Sequence, residues 1–273
     1  MATNVALSLN RIAKPDLPLP EFLLLASSLE MKYAEVRNDL PGREVLDGLS
    51  PGVLRSALHR TKVGIVSINA LYPFESGRHL EANLEKLRGL IAQARTVGCK
   101  YIVMCPFNEK GDPRTPKERA GELVAALDAY GPLYAEAGMV GLIEPLGFER
   151  SALRLKRAAL EGIARSRYPG SFALLHDTFH HYLSGEEELF PKETGLVHVS
   201  GVPAGKSRSA IEDEDRILVD DSDVMDNRRQ VAALLKGGLK APISFEPFSP
   251  KVKALSVGEL KAALEKSVKY LLG

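Results

Sequence analysis

A chain of 273 residues with 45% hydrophobic and 26% charged residues is long enough for one large domain. A chain of this size buries roughly 75% of the surface its unfolded form exposes, so it needs no covalent staples. A formal net charge of +1 supplies no broad basic field for nucleic acid or an anionic membrane.

The two cysteines, Cys99 and Cys105, bracket "CKYIVMC". On a strand their Cα atoms stand roughly 20 Å apart, far beyond the ~7 Å reach of a disulfide. Nothing here signals an oxidising compartment. The first twenty residues have neither a charged n-region nor a long apolar h-region. No apolar run approaches the ~20 residues that span a bilayer. A cytoplasmic protein without membrane contact is expected.

Short apolar runs alternate along the chain with segments of helical period. Residues 4–10 ("NVALSLN") and 33–38 ("YAEVRN") open the series, with two poorly marked helices around them, near "PLPEFLLLASSLE" and "SPGVLRSALHR". Residues 63–69 ("VGIVSIN") precede a helix over 79–98, with Leu80, Leu84, Leu87 and Ile91 on one face and Gly98 as its stop. Residues 101–107 ("YIVMCPF") precede a helix over 117–138, in which Gly131-Pro132 predicts a kink. Residues 140–144 ("VGLIE") lead to a helix over 151–170, with Ser151 as candidate N-cap and Pro169-Gly170 as stop. Residues 172–177 ("FALLHD"), 195–201 ("GLVHVSG") and 243–248 ("ISFEPF") complete the runs, with helices over 228–238 and 256–272.

These eight runs are too short for helices and rich in Val, Ile and Leu, as strands buried on both faces should be. Alternation with helices, unbroken in composition, predicts a single (β/α)8 TIM-barrel domain over 1–273. An open doubly wound sheet is the alternative, but no Gly-rich fingerprint follows the first strand.

Chemistry in such a barrel sits at the C-terminal ends of the strands. Glu144, Asp177, His198 and Glu246 stand at or near the ends of strands five to eight. Neighbouring strands are ~4.8 Å apart, so inward groups from four of them can converge on one ion. Three carboxylates and one imidazole suit Mn²⁺ or Co²⁺ best; Mg²⁺ and Zn²⁺ are also compatible. Three of the six histidines fall within "LLHDTFHHYLSGE". Asp177 facing the mouth turns His176 toward the helices by alternation, whereas His180, one short turn on, can fold back over the mouth. His181 is expected to stay out of it.

Several stretches together resemble the xylose-isomerase-like TIM barrels of sugar isomerases and epimerases, and within them the inosose (2-keto-myo-inositol) isomerases. They are "AEVRNDLP", "SINALYPF", "RTVGCKYIVMCPF", "LIEPLGF", "HDTFHHYLSG", "LVHVSG", "DEDR" and "SFEPFSP". The resemblance implies one divalent metal held by Glu144, Asp177, His198 and Glu246, with His180 and Arg216 holding substrate hydroxyls. It implies a sugar or cyclic keto-polyol as the small-molecule partner. The reaction it points to moves a proton between adjacent carbons through an enediolate, with Glu144 and Glu246 as base and acid. After Arg216 the chain reads "ILVDDSDVMD", without the Pro/Gly-rich turn common in the family, so substrate identity does not transfer.

A metal-dependent dehydratase of an inosose is the nearest rival. A repair endonuclease on this barrel needs more histidines at strand ends than "VRND", "SINA" and "CPFN" offer. The eight acids Glu212, Asp213, Glu214, Asp215, Asp220, Asp221, Asp223 and Asp226 also sit near the rim, where they repel a polyphosphate. "GVPAGKSRS", with Lys206 and Arg208, is a candidate phosphate grip. A homo-oligomer is compatible with everything above.

Overall fold

The computed structural model describes residues 5–273. Eight strands close in chain order into a parallel barrel, as the alternation predicts. They are β1 (Leu7–Asn10), β2 (Tyr33–Arg37), β3 (Gly64–Leu71), β4 (Tyr101–Met104), β5 (Val140–Ile143), β6 (Phe172–Asp177), β7 (Thr194–Val199) and β8 (Ile243–Phe245). The helices between them are α1 (Leu19–Ser28), α2 (Pro51–Thr61), α3 (Leu80–Val97), α4 (Pro116–Ala137), α5 (Lys156–Arg165), α6 (Thr178–Ser184), α7 (Asn227–Lys236), α8 (Pro250–Lys253) and α9 (Val257–Leu272). Among the described residues, no helix is long and apolar enough to cross a membrane.

Strand alternation divides the interior into two kinds of core. Residues facing outward, such as Leu9, Val36, Ile102, Ile143, Leu174 and Phe245, pack under the helices with Phe22, Leu87, Leu127 and Leu260. Residues of the opposite parity, Val66, Val103, Leu142, Leu175 and Leu196, fill the lower barrel. Two residues further along β5, β6 and β7, the same parity delivers Glu144, Asp177 and His198. The apolar plug below therefore shields the floor of a polar mouth from water on the far side.

Local signals explain most boundaries. Thr115 with Glu118 and Ser256 with Glu259 form capping boxes that start α4 and α9. Gly98 and Gly138, both at positive φ, stop α3 and α4. Three expectations are corrected. Helix α4 runs unbroken through Pro132; the preceding Gly131 admits Tyr168 so closely that a Cβ there would meet it at 2.4 Å. Ser151 does not cap α5, because its Oγ is engaged by the backbone of Leu153 while residue 152 bonds Phe107. Instead the Glu186 carboxylate accepts from the backbone N–H groups of Lys156 and Arg157, so a distant side chain caps the helix. Strand β4 ends at Met104, which leaves Cys105 on the loop at the mouth; both cysteines are free.

Candidate metal centre at the barrel mouth

Adjacent strands carry the site in register. Asp177 of β6 pairs with His198 of β7, and His198 with Ser244 of β8. Asn10 of β1 pairs with Glu35 of β2, and Glu35 with Ser67 of β3. Glu144 and Glu246 follow β5 and β8 directly. Glu144, Asp177, His198 and Glu246 are all buried, and each offers a ligand atom within 4.8 Å of the others. The four residues expected at one rim thus share one small volume, a candidate metal-binding site.

Each member is anchored differently. Asp177 caps α6, its Oδ1 accepting from the Phe179 N–H at 2.7 Å. The same carboxylate therefore fixes the helix that bears His180. Its Oδ2 accepts from Arg216 Nη2 at 2.7 Å. Glu246 Oε1 accepts from Arg37 Nη1 at 2.8 Å and Asn10 Nδ2 at 3.1 Å. Glu246 Oε2 accepts from Arg216 Nη2 at 2.8 Å and lies 3.1 Å from His198 Nδ1. Glu144 is freer. Its Oε1 lies 3.2 Å from His198 Nδ1, and among the described residues its Oε2 has only the Cys105 thiol, at 3.3 Å.

Arg216 reaches the site, where its donors go to protein groups. Nη2 bridges Asp177 and Glu246, Nε bonds Ser200 Oγ at 3.0 Å, and Nη1 reaches Asp213 at 3.2 Å. Its guanidinium lies between the rings of Phe179 and Phe248, 4.7 and 4.6 Å from their centroids. Arg37 makes the matching brace, gripping Asp39 with Nε and Nη2 while Nη1 holds Glu246.

The charges shape the protonation states. Burial pushes the Glu246 carboxyl up, but His198, Arg216 and Arg37 outweigh it and hold Glu246 well below the usual carboxylate range. Burial raises Asp177, with Arg216 opposing. Burial favours a neutral His198, yet the charges of Glu246, Glu35 and Glu144 raise it well above an ordinary histidine. Burial and the Glu144 charge push the Cys105 thiol up, so it is an S–H donor rather than a thiolate.

The histidine cluster separates as the strand parity requires. His176 turns to the helices and stacks on His181, ring centroids 4.9 Å apart. His181 Nδ1 lies 2.7 Å from Lys156 Nζ, away from the mouth. His180 packs edge-on against Phe148 and Phe179, 5.4 and 5.0 Å between centroids. Its helix approaches the β5 loop so closely that a Cβ on Gly147 would lie 2.2 Å from the His180 carbonyl oxygen.

These three rings are neutral in the fold. Burial and Arg216 lower His180 to about 4, burial and Lys156 lower His181 to about 4, and burial drives His176 well below its ordinary value. Unfolded histidines protonate near ~6.5, so stability present above that pH is lost as pH falls toward ~4. Among the described residues neither His176 ring nitrogen has a hydrogen-bond partner. His176→Phe should therefore remove up to about 1.4 kcal/mol per pH unit of that slope. Urea melts at pH 6.5, 5.8 and 5.0 measure it; an unchanged slope would refute the assignment.

Glu35, Arg37, Asn10 and Cys105 belong to the mouth and were not singled out from the sequence. A signal existed for two of them. Glu35 and Arg37 place charges at alternate positions of a strand buried on both faces, which demands partners inside the barrel. The acidic segment near the rim is largely engaged. Glu212 pairs with Arg150, Asp215 with Lys206, Asp213 with Arg216, and Asp223 bonds the backbone of Val202 and Met225. Lys206 is paired with Asp215 at the surface, and Arg208 lies over the Tyr182 ring at 4.5 Å.

No curated protein matches the chain in sequence. Among solved structures, a xylose isomerase domain containing protein from Salmonella typhimurium LT2 is 34% identical, with TM-score 0.90 over 99% of this chain and 100% of that one. The IolI protein, solved with a zinc atom, is 19% identical, with TM-score 0.86 over 97% and 98% of the two chains. D-psicose 3-epimerase from Clostridium cellulolyticum H10, solved with D-tagatose, is 12% identical, with TM-score 0.68 over 98% and 100%. The latter two show the shared fold. The profile of the xylose isomerase-like TIM barrels matches residues 23–272, and with it the closed barrel gains its family: this chain belongs to the xylose isomerase-like TIM barrels.

Proposed function

We propose that the protein is a divalent-metal-dependent isomerase or epimerase of a polyhydroxy ketone, an inosose or a ketose. The observation that carries the reading is the convergence of Glu144, Asp177, His198 and Glu246 within 4.8 Å in a buried mouth. The donor set fits a hard or borderline divalent ion, with Mn²⁺ or Co²⁺ preferred and Mg²⁺ or Zn²⁺ compatible. Arg216 and Arg37 offset part of the charge of these buried carboxylates, and a divalent ion would offset more of it. When bound, the ion supplies Lewis-acid polarisation of the substrate carbonyl, which eases loss of the neighbouring proton.

The chain's own residues divide the rest of the work. Glu246 is held ionised by Arg37 and Arg216 and has both oxygens engaged. Among the described residues Glu144 Oε2 carries only a weak thiol donor, so it is the oxygen that takes the proton from the carbon beside the carbonyl and then, as the acid, returns a proton to the enediolate. Glu246 serves as the fixed anionic wall opposite. His180, neutral and at the mouth, offers a ring nitrogen to a substrate hydroxyl; its Nδ1 is buried without a partner among the described residues. Arg216 acts on the substrate only through Asp177 and Glu246.

The test is metal removal with a chelator, restoration of Mn²⁺, Co²⁺, Mg²⁺ and Zn²⁺ singly, and turnover of inososes and ketoses in D₂O. Deuterium is expected at the carbon beside the carbonyl, only with metal restored. A product lighter by one water would instead make the protein a dehydratase. Tight binding without exchange or turnover would make it a sugar-binding barrel.

A further inference from the structure

Glu35 lies on β2, fully buried at the centre of the barrel, outside the set of four candidate ligands. Its carboxylate receives donors from three other strands. Ser67 Oγ and Asn69 Nδ2 of β3 both bond Oε2, the latter at 2.8 Å. Ser244 Oγ of β8 bonds Oε1. His198 Nε2 of β7 lies 3.1 Å from Oε2. A buried carboxylate must have its lone pairs satisfied, and here the three neutral donors orient it with one edge turned to the imidazole.

The consequence falls on His198. Its ring stands between two groups of carboxylates, with Nε2 on Glu35 and Nδ1 within 3.2 Å of Glu144 and Glu246. A neutral imidazole has one N–H and one lone pair. Carboxylates, which can only accept, face both ring nitrogens, Nε2 on Glu35 and Nδ1 on Glu144 and Glu246. A cation seated among Glu144, Asp177 and Glu246 would take the place of the Nδ1 proton, and Glu35 would keep the N–H on Nε2.

We infer that Glu35 is a positioning residue that selects Nδ1 of His198 as the metal-ligating nitrogen by holding the proton on Nε2. The inference rests on the reading of the mouth as a metal centre. It also gives the Ser67, Asn69 and Ser244 side chains a purpose: they hold the carboxylate that holds the histidine. A purely structural Glu35 would tie β2, β3, β7 and β8 together without affecting which nitrogen binds the ion.

The test uses Zn²⁺ as probe on the full chain, with competition against a chromophoric chelator and long-range ¹H–¹⁵N spectra of the histidines. In the zinc-loaded wild type, His198 should show a protonated Nε2 and a metal-bound Nδ1. Glu35→Gln keeps the shape but loses the pure acceptor, and should weaken zinc binding 10- to 100-fold. Ser244→Ala leaves the Glu35 charge in place and loosens it, with a several-fold loss expected. Ligation through Nε2 in the wild type overturns the inference without any variant. So does zinc affinity in both variants within twofold of wild type. If wild-type zinc affinity is unaltered by His198→Asn, the metal reading itself fails, and this inference fails with it. The wild-type titration tells the two failures apart.

Discussion

Glu144→Gln should reduce exchange of the proton beside the substrate carbonyl by about 10²- to 10⁴-fold, the range typical for loss of a positioned base. The substitution keeps an oxygen on the His198 side while removing the capacity of the outer atom to take a proton. Glu246→Gln should act differently, since Glu246 accepts from Arg37, Asn10 and Arg216. Its amide would turn an N–H₂ toward donors, and the main loss should be metal affinity. Exchange must therefore be followed by ¹H NMR in D₂O at measured, saturating metal occupancy. Cys105→Ala is the control for the thiol on Glu144 Oε2; a neutral weak donor is worth little, so exchange should stay within about tenfold of wild type. Should Glu144→Gln retain exchange at full occupancy while Glu246→Gln loses it, the roles of the two carboxylates are reversed.

Two kinds of information differ in how openly the sequence displays them. The barrel was legible because each βα unit repeats the same constraint. Strands buried on both faces must be apolar throughout, and helices must show one apolar stripe. The polar groups at strand ends were legible for the same reason, since Glu144, Asp177, His198 and Glu246 interrupt those runs. What one strand hides is its partner. Glu35 and Arg37 interrupt β2 just as plainly, but their meaning depends on Ser67, Asn69, His198 and Glu246, which only closure of the barrel brings alongside. Ser151 shows the converse: a good N-cap residue was overridden by the Glu186 carboxylate from another loop. Local propensity fixes an element's type better than its ends.

Arg216→Met should lower the stability of the metal-free protein by about 3–5 kcal/mol, the usual result of leaving a buried carboxylate without its partner. In a domain of this length that is a fall in Tm of roughly 5–9 °C. Methionine keeps much of the volume between Phe179 and Phe248, so the loss is chiefly electrostatic. Two carboxylates, Asp177 and Glu246, share Arg216 Nη2 at 2.7 and 2.8 Å, and both lose it at once. A divalent ion brings positive charge to the same oxygens. Zinc should therefore raise Tm more in Arg216→Met than in wild type and recover part of the deficit. Because the variant then destabilises the metal-free state more than the loaded one, its zinc affinity should increase. Each ~1.4 kcal/mol of that difference appears as a tenfold tighter Kd. Thermal melts with and without zinc, together with chelator competition, measure both quantities. If Arg216 is chiefly a hydroxyl-binding group for substrate, the metal-free Tm will stay at the wild-type value and only KM will rise. That outcome would mean the guanidinium does not balance the carboxylates of the mouth, and another cation, His198⁺ or Arg37, must carry the charge in the empty site.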